Sequence, residues 1–125
     1  MNPLKKVMIV EDDDEYRRML SNALYMNYEV MEAEDGEQAM ERILLHRPHA
    51  VVLDLLLPKV DGFEVLKRIR TYPEAAISST PVVVLSNLSS NQDFLNAENL
   101  KVDYYFVKSN TSMEDVQKKL GEIVK

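Results

Sequence analysis

Short apolar runs alternate with stretches of helical spacing along the whole chain. Lys6–Val10 reads as a strand, and Glu15–Met26 as a helix with Met19, Leu20, Ala23 and Leu24 on one face. Tyr28–Ala33 is a second strand, followed by a helix over Gly36–His46 carrying Ala39, Met40, Ile43 and Leu44. Ala50–Leu57 is apolar at every position except Asp54, the pattern of a strand covered on both faces. Asp61–Thr71 is a third helix, with Val65, Leu66 and Ile69 inward and Asp61 as a candidate cap. Pro81–Leu85 supplies a β-branched fourth strand, Gln92–Leu100 a weaker helix anchored by Phe94, Leu95 and Ala97, and Tyr104–Val107 a fifth strand. In the last helix Met113, Val116, Leu120 and Ile123 recur at three and four residues, with Thr111 and Glu114 as a candidate capping box.

Five strand–helix units in series predict an α/β fold of three layers: a doubly wound parallel sheet with helices on both faces. In such sheets, sites form beyond the C-terminal ends of the strands. The polar residues collect there. Glu11 and Asp12 follow the first strand, Asp54 lies near the end of the third, Ser86 follows the fourth and Lys108 the fifth.

Glu11–Asp12–Asp13–Asp14–Glu15 is either a solvated face, with Asp13 or Asp14 capping the first helix, or a cation site. Carboxylates crowded at a strand end repel one another, and a hard divalent cation with oxygen ligands relieves this. Asp12 is then the direct ligand, with Glu11 binding directly or through water. Asp54 is costly if buried and unpaired, on the order of several kcal/mol. A salt bridge to Lys108 is one answer. The other is a nucleophile beside Mg²⁺ that forms an aspartyl phosphate. With Asp12 and Asp54 sharing the metal, the backbone carbonyl of Leu56 is the expected third ligand. Lys108 offers a mobile point charge, and Ser86 a hydroxyl that can donate to a phosphoryl oxygen. Strand alternation sends Tyr105 to the face opposite Tyr104 and Phe106. His46 and His49 flank Arg47–Pro48 and read as turn or surface residues.

Composition narrows the alternatives. A chain of 125 residues fits one domain, expected to span 1–125. The absence of cysteine excludes disulfides, thiolate nucleophiles and cysteine-ligated zinc. The net charge is -6, and residues 1–37 hold four Lys/Arg against ten Asp/Glu, which argues against a nucleic-acid groove. The apolar run Val7–Val10 is too short to cross a membrane or serve as a signal peptide, so a cytoplasmic location is expected. A flavodoxin-type module shares the layout, but a carboxylate run after the first strand would repel a flavin phosphate. An aspartate-nucleophile phosphohydrolase wants a second carboxylate where Leu56 stands. A phosphate-independent interaction module remains the alternative.

The segments Val10–Glu11–Asp12, Leu53–Asp54–Leu55–Leu56–Leu57–Pro58 with Asp61–Gly62, Val84–Leu85–Ser86 and Tyr105–Phe106–Val107–Lys108 occur in order, spaced by whole strand–helix units. Together they make the chain closely resemble the receiver domain of bacterial two-component response regulators, over essentially its full length. The resemblance implies a flavodoxin-like fold with strand order 2-1-3-4-5. It also implies Asp54 as phosphoacceptor, Glu11 and Asp12 as the acidic metal pair for Mg²⁺ (with Mn²⁺ able to substitute), Ser86 and Lys108 as phosphoryl contacts, and Tyr105 as the switch aromatic. A histidine kinase or phosphotransfer protein would be the donor. The chain would catalyse its own phosphoryl transfer and slow hydrolysis without being a classical enzyme. Its fourth helix, fifth strand and fifth helix would meet an output domain, a downstream protein or a second copy in a homodimer.

Three positions depart from the family pattern. Ser109 stands where proline, normally in a cis peptide, is usual, which should change the path of that loop. Asn87 replaces a small residue, often alanine, and should narrow donor access. The segment 72–80 is slightly long. Leu56 and Leu88 flank the expected phosphoryl position, and apolar side chains there should hinder an attacking water, lengthening the life of the phosphorylated form.

Overall fold

The structure, a computed structural model, describes residues 3–125, so the first two positions of the expected domain lie outside it. Five parallel strands form one sheet in the order β2-β1-β3-β4-β5: β1 Lys6–Val10, β2 Glu29–Ala33, β3 Ala50–Leu53, β4 Val82–Ser86 and β5 Tyr104–Val107. Five helices connect or follow them: α1 Asp14–Leu24, α2 Gly36–His46, α3 Gly62–Arg70, α4 Asn91–Asn99 and α5 Met113–Ile123. The expected order of strands and helices is present throughout.

Alternation along the central strands builds the two cores. Met8, Val10, Val51, Leu53, Val82 and Val84 pack with Ala39 and Ile43 of α2 and Val65, Leu66 and Ile69 of α3. Val7, Ile9, Ala50, Val52, Val83 and Leu85 pack on the other face with Leu20 and Leu24 of α1 and Val116 and Leu120 of α5. Each central strand is buried on both sides, which explains why its sequence is apolar without interruption. Tyr105 joins the first core and Phe106 the second, as alternation requires.

Several local expectations are corrected. The third strand ends at Leu53 rather than Leu57. Beyond it the Asp54 side chain accepts the Leu56 N–H at 3.0 Å, and this local turn takes the chain off the sheet. Leu55 stays buried while Leu56 is 53% exposed. In α1 Leu20 and Leu24 are buried as expected and Tyr16 joins them, whereas Met19 is 51% exposed, off the face that meets the sheet. In α4 only Ala97 is fully buried, and Leu95 is exposed, since this helix lies over the sheet's edge. The capping box of α5 is Ser112 with Asp115, one residue beyond the expected pair; Thr111 instead donates its hydroxyl to the Val107 carbonyl at 2.6 Å. Part of the long segment 72–80 is a single helical turn, Ala75–Ser78. Asp61 caps α3 as expected, accepting the Glu64 N–H at 3.1 Å.

Candidate functional site

The C-terminal ends of β1, β3, β4 and β5 converge on one acidic recess. Glu11 continues β1 by one residue, donating its N–H to the Ala33 carbonyl at 3.0 Å, and its side chain is 2% exposed. Its Oε2 accepts the Asp13 N–H at 3.1 Å, and its backbone carbonyl accepts Arg17 Nη1 at 2.9 Å. Asp13 caps α1 through the Tyr16 N–H at 3.1 Å, which settles the cap left open above. Asp12, between them, is exposed at the rim.

Asp54 is 4% exposed and donates its N–H to the Val10 carbonyl at 3.0 Å, so the main chain of β1 fixes its position. One carboxylate oxygen takes the Leu56 N–H, and the other accepts Lys108 Nζ at 2.8 Å. Lys108 also pairs with Glu11 Oε1. The salt bridge expected as the alternative for Asp54 is therefore present, and it lies inside the acidic cluster. Carboxylate oxygens of Glu11, Asp12 and Asp54 lie within 4.8 Å of one another. Oxygen-only donors, two of them buried and sharing one ammonium, fit a hard divalent cation.

Ser86 is fully buried at the end of β4, and its Oγ accepts the Leu88 N–H at 3.4 Å. Leu88 O in turn accepts the Tyr105 hydroxyl at 2.6 Å. The Tyr105 ring meets Phe94 of α4 edge-on, with centroids 4.8 Å apart. Burial, then the charges of Asp93 and Asp54, push the Tyr105 phenol up to about 12, so it remains a donor at any physiological pH. His46 and His49 are exposed, as expected; His49 Nδ1 accepts the Lys6 N–H at 3.0 Å.

Two further residues shape the recess and were not singled out from sequence. The Tyr16 ring lies under Lys108 Nζ, 4.5 Å from centroid to nitrogen, a cation–π contact that supports the ammonium from the side of α1. Its position four residues before Leu20 was the available signal. Arg17 braces the Glu11 carbonyl and reaches Asp14, Glu32 and Glu34. Nothing in the sequence distinguishes it from its surface neighbour Arg18.

Among the described residues Lys108 is the one cation bonded to the buried Glu11 and Asp54 carboxylates, so the recess is short of positive charge. Burial pushes the Glu11 carboxyl up to about 7 from 4.5, outweighing the bonds from Lys108 and the Asp13 N–H, with the Asp54 charge adding to the rise. The folded state thus holds this proton more tightly than the unfolded chain. The associated stability is complete below about pH 4.5 and is lost as pH rises through about 7. Asp35, Glu74, Asp115 and Glu122 are all shifted downward, so their contribution is complete above the ordinary carboxylate range and is lost only as pH falls below it. In chelator, unfolding free energy from urea titrations is therefore expected to fall between about pH 5 and pH 7.5, and Glu11→Gln to flatten that fall. An unchanged slope in the variant would assign it to other groups.

A model of the response regulator receiver domain family matches residues 7–120. A probable transcriptional regulator, ycf27, of Cyanophora paradoxa is 37% identical over 105 residues, covering 83% of this chain and 42% of that protein. The response regulator MprA of Mycolicibacterium vanbaalenii is 33% identical over 104 residues, 82% of this chain and 43% of that one. The chain thus spans less than half the length of these sequence relatives. Among solved structures, the Mn²⁺-bound form of response regulator Rcp1 is 30% identical with a TM-score of 0.80, covering 94% of this chain and 90% of that one. The phosphorylated cyanobacterial phytochrome response regulator RcpA is 32% identical with a TM-score of 0.82, covering 95% and 91%.

Proposed function

Because this chain belongs to the response regulator receiver domain family, we propose that it is a phosphorylation-activated switch whose phosphoacceptor is Asp54. The observation that carries the reading is the convergence of the Glu11, Asp12 and Asp54 carboxylates within 4.8 Å, with Lys108 Nζ on the acceptor itself. A carboxylate oxygen of Asp54 attacks the phosphorus of a phosphohistidine on a kinase or phosphotransfer protein, and the bond from phosphorus to the imidazole nitrogen breaks. Asp12 and Asp54, the Leu56 carbonyl, and Glu11 directly or through water would hold Mg²⁺. When bound there, the cation would supply positive charge against the repulsion between the carboxylate and the incoming phosphoryl oxygens. The chain's own part is to hold Asp54 by its backbone and to present Lys108 to the new charge.

The same bonds provide a path to the surface. A phosphoryl group at Asp54 would add acceptor oxygens at the strand ends that also carry Ser86, whose Oγ accepts the Leu88 N–H and keeps its own proton to donate. Drawing Ser86 inward moves Leu88, and the Tyr105 hydroxyl is bonded to the Leu88 carbonyl. Tyr105 then carries the shift to Phe94 and the face formed by α4, β5 and α5, where an output domain, a downstream protein or a second copy would read it. Among the described residues no helix is long and apolar enough to cross a membrane. A place in the cytoplasm, where the donor kinase domain works, suits this reading.

Leu56 is exposed two residues after Asp54 and Leu88 is half-buried two residues after Ser86, and as apolar side chains neither can orient a water for attack on the phosphoryl group. After loading with acetyl phosphate and Mg²⁺ and removal of the donor, the phosphorylated form is expected to persist. Leu56→Asn with Leu88→Glu, which adds groups able to position water, should lose the phosphoryl group about tenfold faster or more, read by intact mass over time. Equal lifetimes would remove the shielding role of the two leucines, whereas no adduct on the parent chain would remove the reading of Asp54.

A further inference from the structure

We propose that Asn87 is a positioning residue for Lys108 that acts through the backbone N–H of Ser109. The proposal rests on Asp54 being the phosphoacceptor and adds a residue to that machinery. Lys108 lies just past the end of β5, where the paired register stops at Ser86 and Val107. It opens a single 3₁₀ turn, Lys108–Asn110, whose other main-chain bonds among the described residues are local: the Thr111 N–H to the Lys108 carbonyl at 3.2 Å, beside the Thr111 hydroxyl to the Val107 carbonyl at 2.6 Å. The tie from outside is the Ser109 N–H, which donates to Asn87 Oδ1 at 3.0 Å.

Asn87 directly follows Ser86. One side chain therefore fastens the loop that follows Ser86 to the loop that carries the ammonium, and that ammonium is bonded to Asp54. The bond needs two things together: an N–H at position 109, which proline lacks, and a side-chain carbonyl at position 87, which a small apolar residue lacks. The two departures from the family pattern are thus the two halves of one contact. Ser109 and Asn87 are both exposed, so a released N–H would find water and folding stability would change little. What the bond fixes is the separation of two catalytic groups, and misplacement by about 1 Å at a reacting centre can cost up to roughly 100-fold in rate.

The test compares the parent chain, Asn87→Ala, Ser109→Pro and the double variant. Phosphorylation rates are measured by intact mass over a range of acetyl phosphate concentrations with saturating Mg²⁺, alongside the Ser109 amide proton shift and urea midpoints. Asn87→Ala should move the Ser109 amide proton upfield and lower the saturating rate about fivefold, with the donor KM and the urea midpoint unchanged. Ser109→Pro should give a similar loss, and the double variant should be no slower than the slower single variant. A saturating rate for Asn87→Ala within twofold of the parent or above it, a loss confined to KM, or losses that multiply in the double variant would each overturn the proposal. Absence of any adduct on the parent overturns the Asp54 reading and the positioning role with it, while the Ser109 amide shift, which needs no phosphoryl group, still reports whether the bond forms.

Discussion

Lys108→Ala is expected to slow phosphoryl uptake at Asp54 about 100-fold or more, the usual effect of removing a preorganised donor from a buried reacting group. Lys108 Nζ is bonded to Asp54 Oδ2 at 2.8 Å and paired with Glu11, and the Tyr16 ring and the main chain beyond β5 hold it in place. Two effects should separate in the variant. Without metal, two buried carboxylates lose their shared partner, and stability above pH 7 should drop by about 3 kcal/mol, the scale for breaking a buried ion pair. With metal, the competing ammonium is gone from the oxygens a cation needs, so Mg²⁺ should bind more tightly than in the parent. Acetyl phosphate kinetics by intact mass and Mg²⁺ titrations at pH 8 check both. Uptake within threefold of the parent would mean that Lys108 is a structural counter-ion and no more.

Gly62→Ala should destabilise the fold by about 3 kcal/mol, the upper end of the usual cost of overpacking. The first residue of α3 packs against the turn that carries Asp54, and its N–H donates to the Leu55 carbonyl at 3.0 Å. A Cβ at this position would overlap the Asp54 carbonyl oxygen and the Leu55 Cα, both main-chain atoms that cannot swing aside. Either α3 retreats or Asp54 is displaced, so phosphorylation should suffer along with stability. Gly121, in the last turn of α5, is the internal control: a Cβ there meets nothing within 4 Å. Gly121→Ala should stabilise by about 0.5–1 kcal/mol, since it only removes backbone freedom from the unfolded chain. Urea unfolding of the two variants beside the parent decides the matter, and equal effects would contradict this account of the turn.

The parts of the fold that were legible in the sequence are those where one physical rule dominates. Val51, Leu53, Val82 and Val84 face one core while Val52, Val83 and Leu85 face the other, so a continuous apolar run announces a central strand. The same rule overran at Leu55–Leu57, because a periodicity cannot see the Asp54 side chain turning the chain with its own hydrogen bond. Helix faces were read to within one position: Val116 and Leu120 are buried as expected, but Met19 and Leu95 are exposed, on helices whose exact rotation depends on what they pack against. Ser112 and Thr111 are adjacent candidate caps with acids three residues on, and only tertiary placement selects between them.

The recess was legible because Glu11, Asp12, Asp54, Ser86 and Lys108 sit at consecutive strand ends, and the topology alone brings such ends together. Tyr16 and the bond from Ser109 to Asn87 were not, since each depends on a contact between loops that no spacing encodes. Sequence marked Asn87 and Ser109 as separate anomalies. The structure joins them.

The most direct measurement of the central claim is intact mass after incubation with acetyl phosphate, with Mg²⁺ and with chelator, for the parent chain and for Asp54→Ala. A single phosphoryl adduct on the parent, dependent on Mg²⁺ and missing from Asp54→Ala, is the predicted result. No adduct under conditions that modify another receiver domain, or an adduct that survives in Asp54→Ala, would contradict the account, and the first of these would favour a phosphate-independent interaction module.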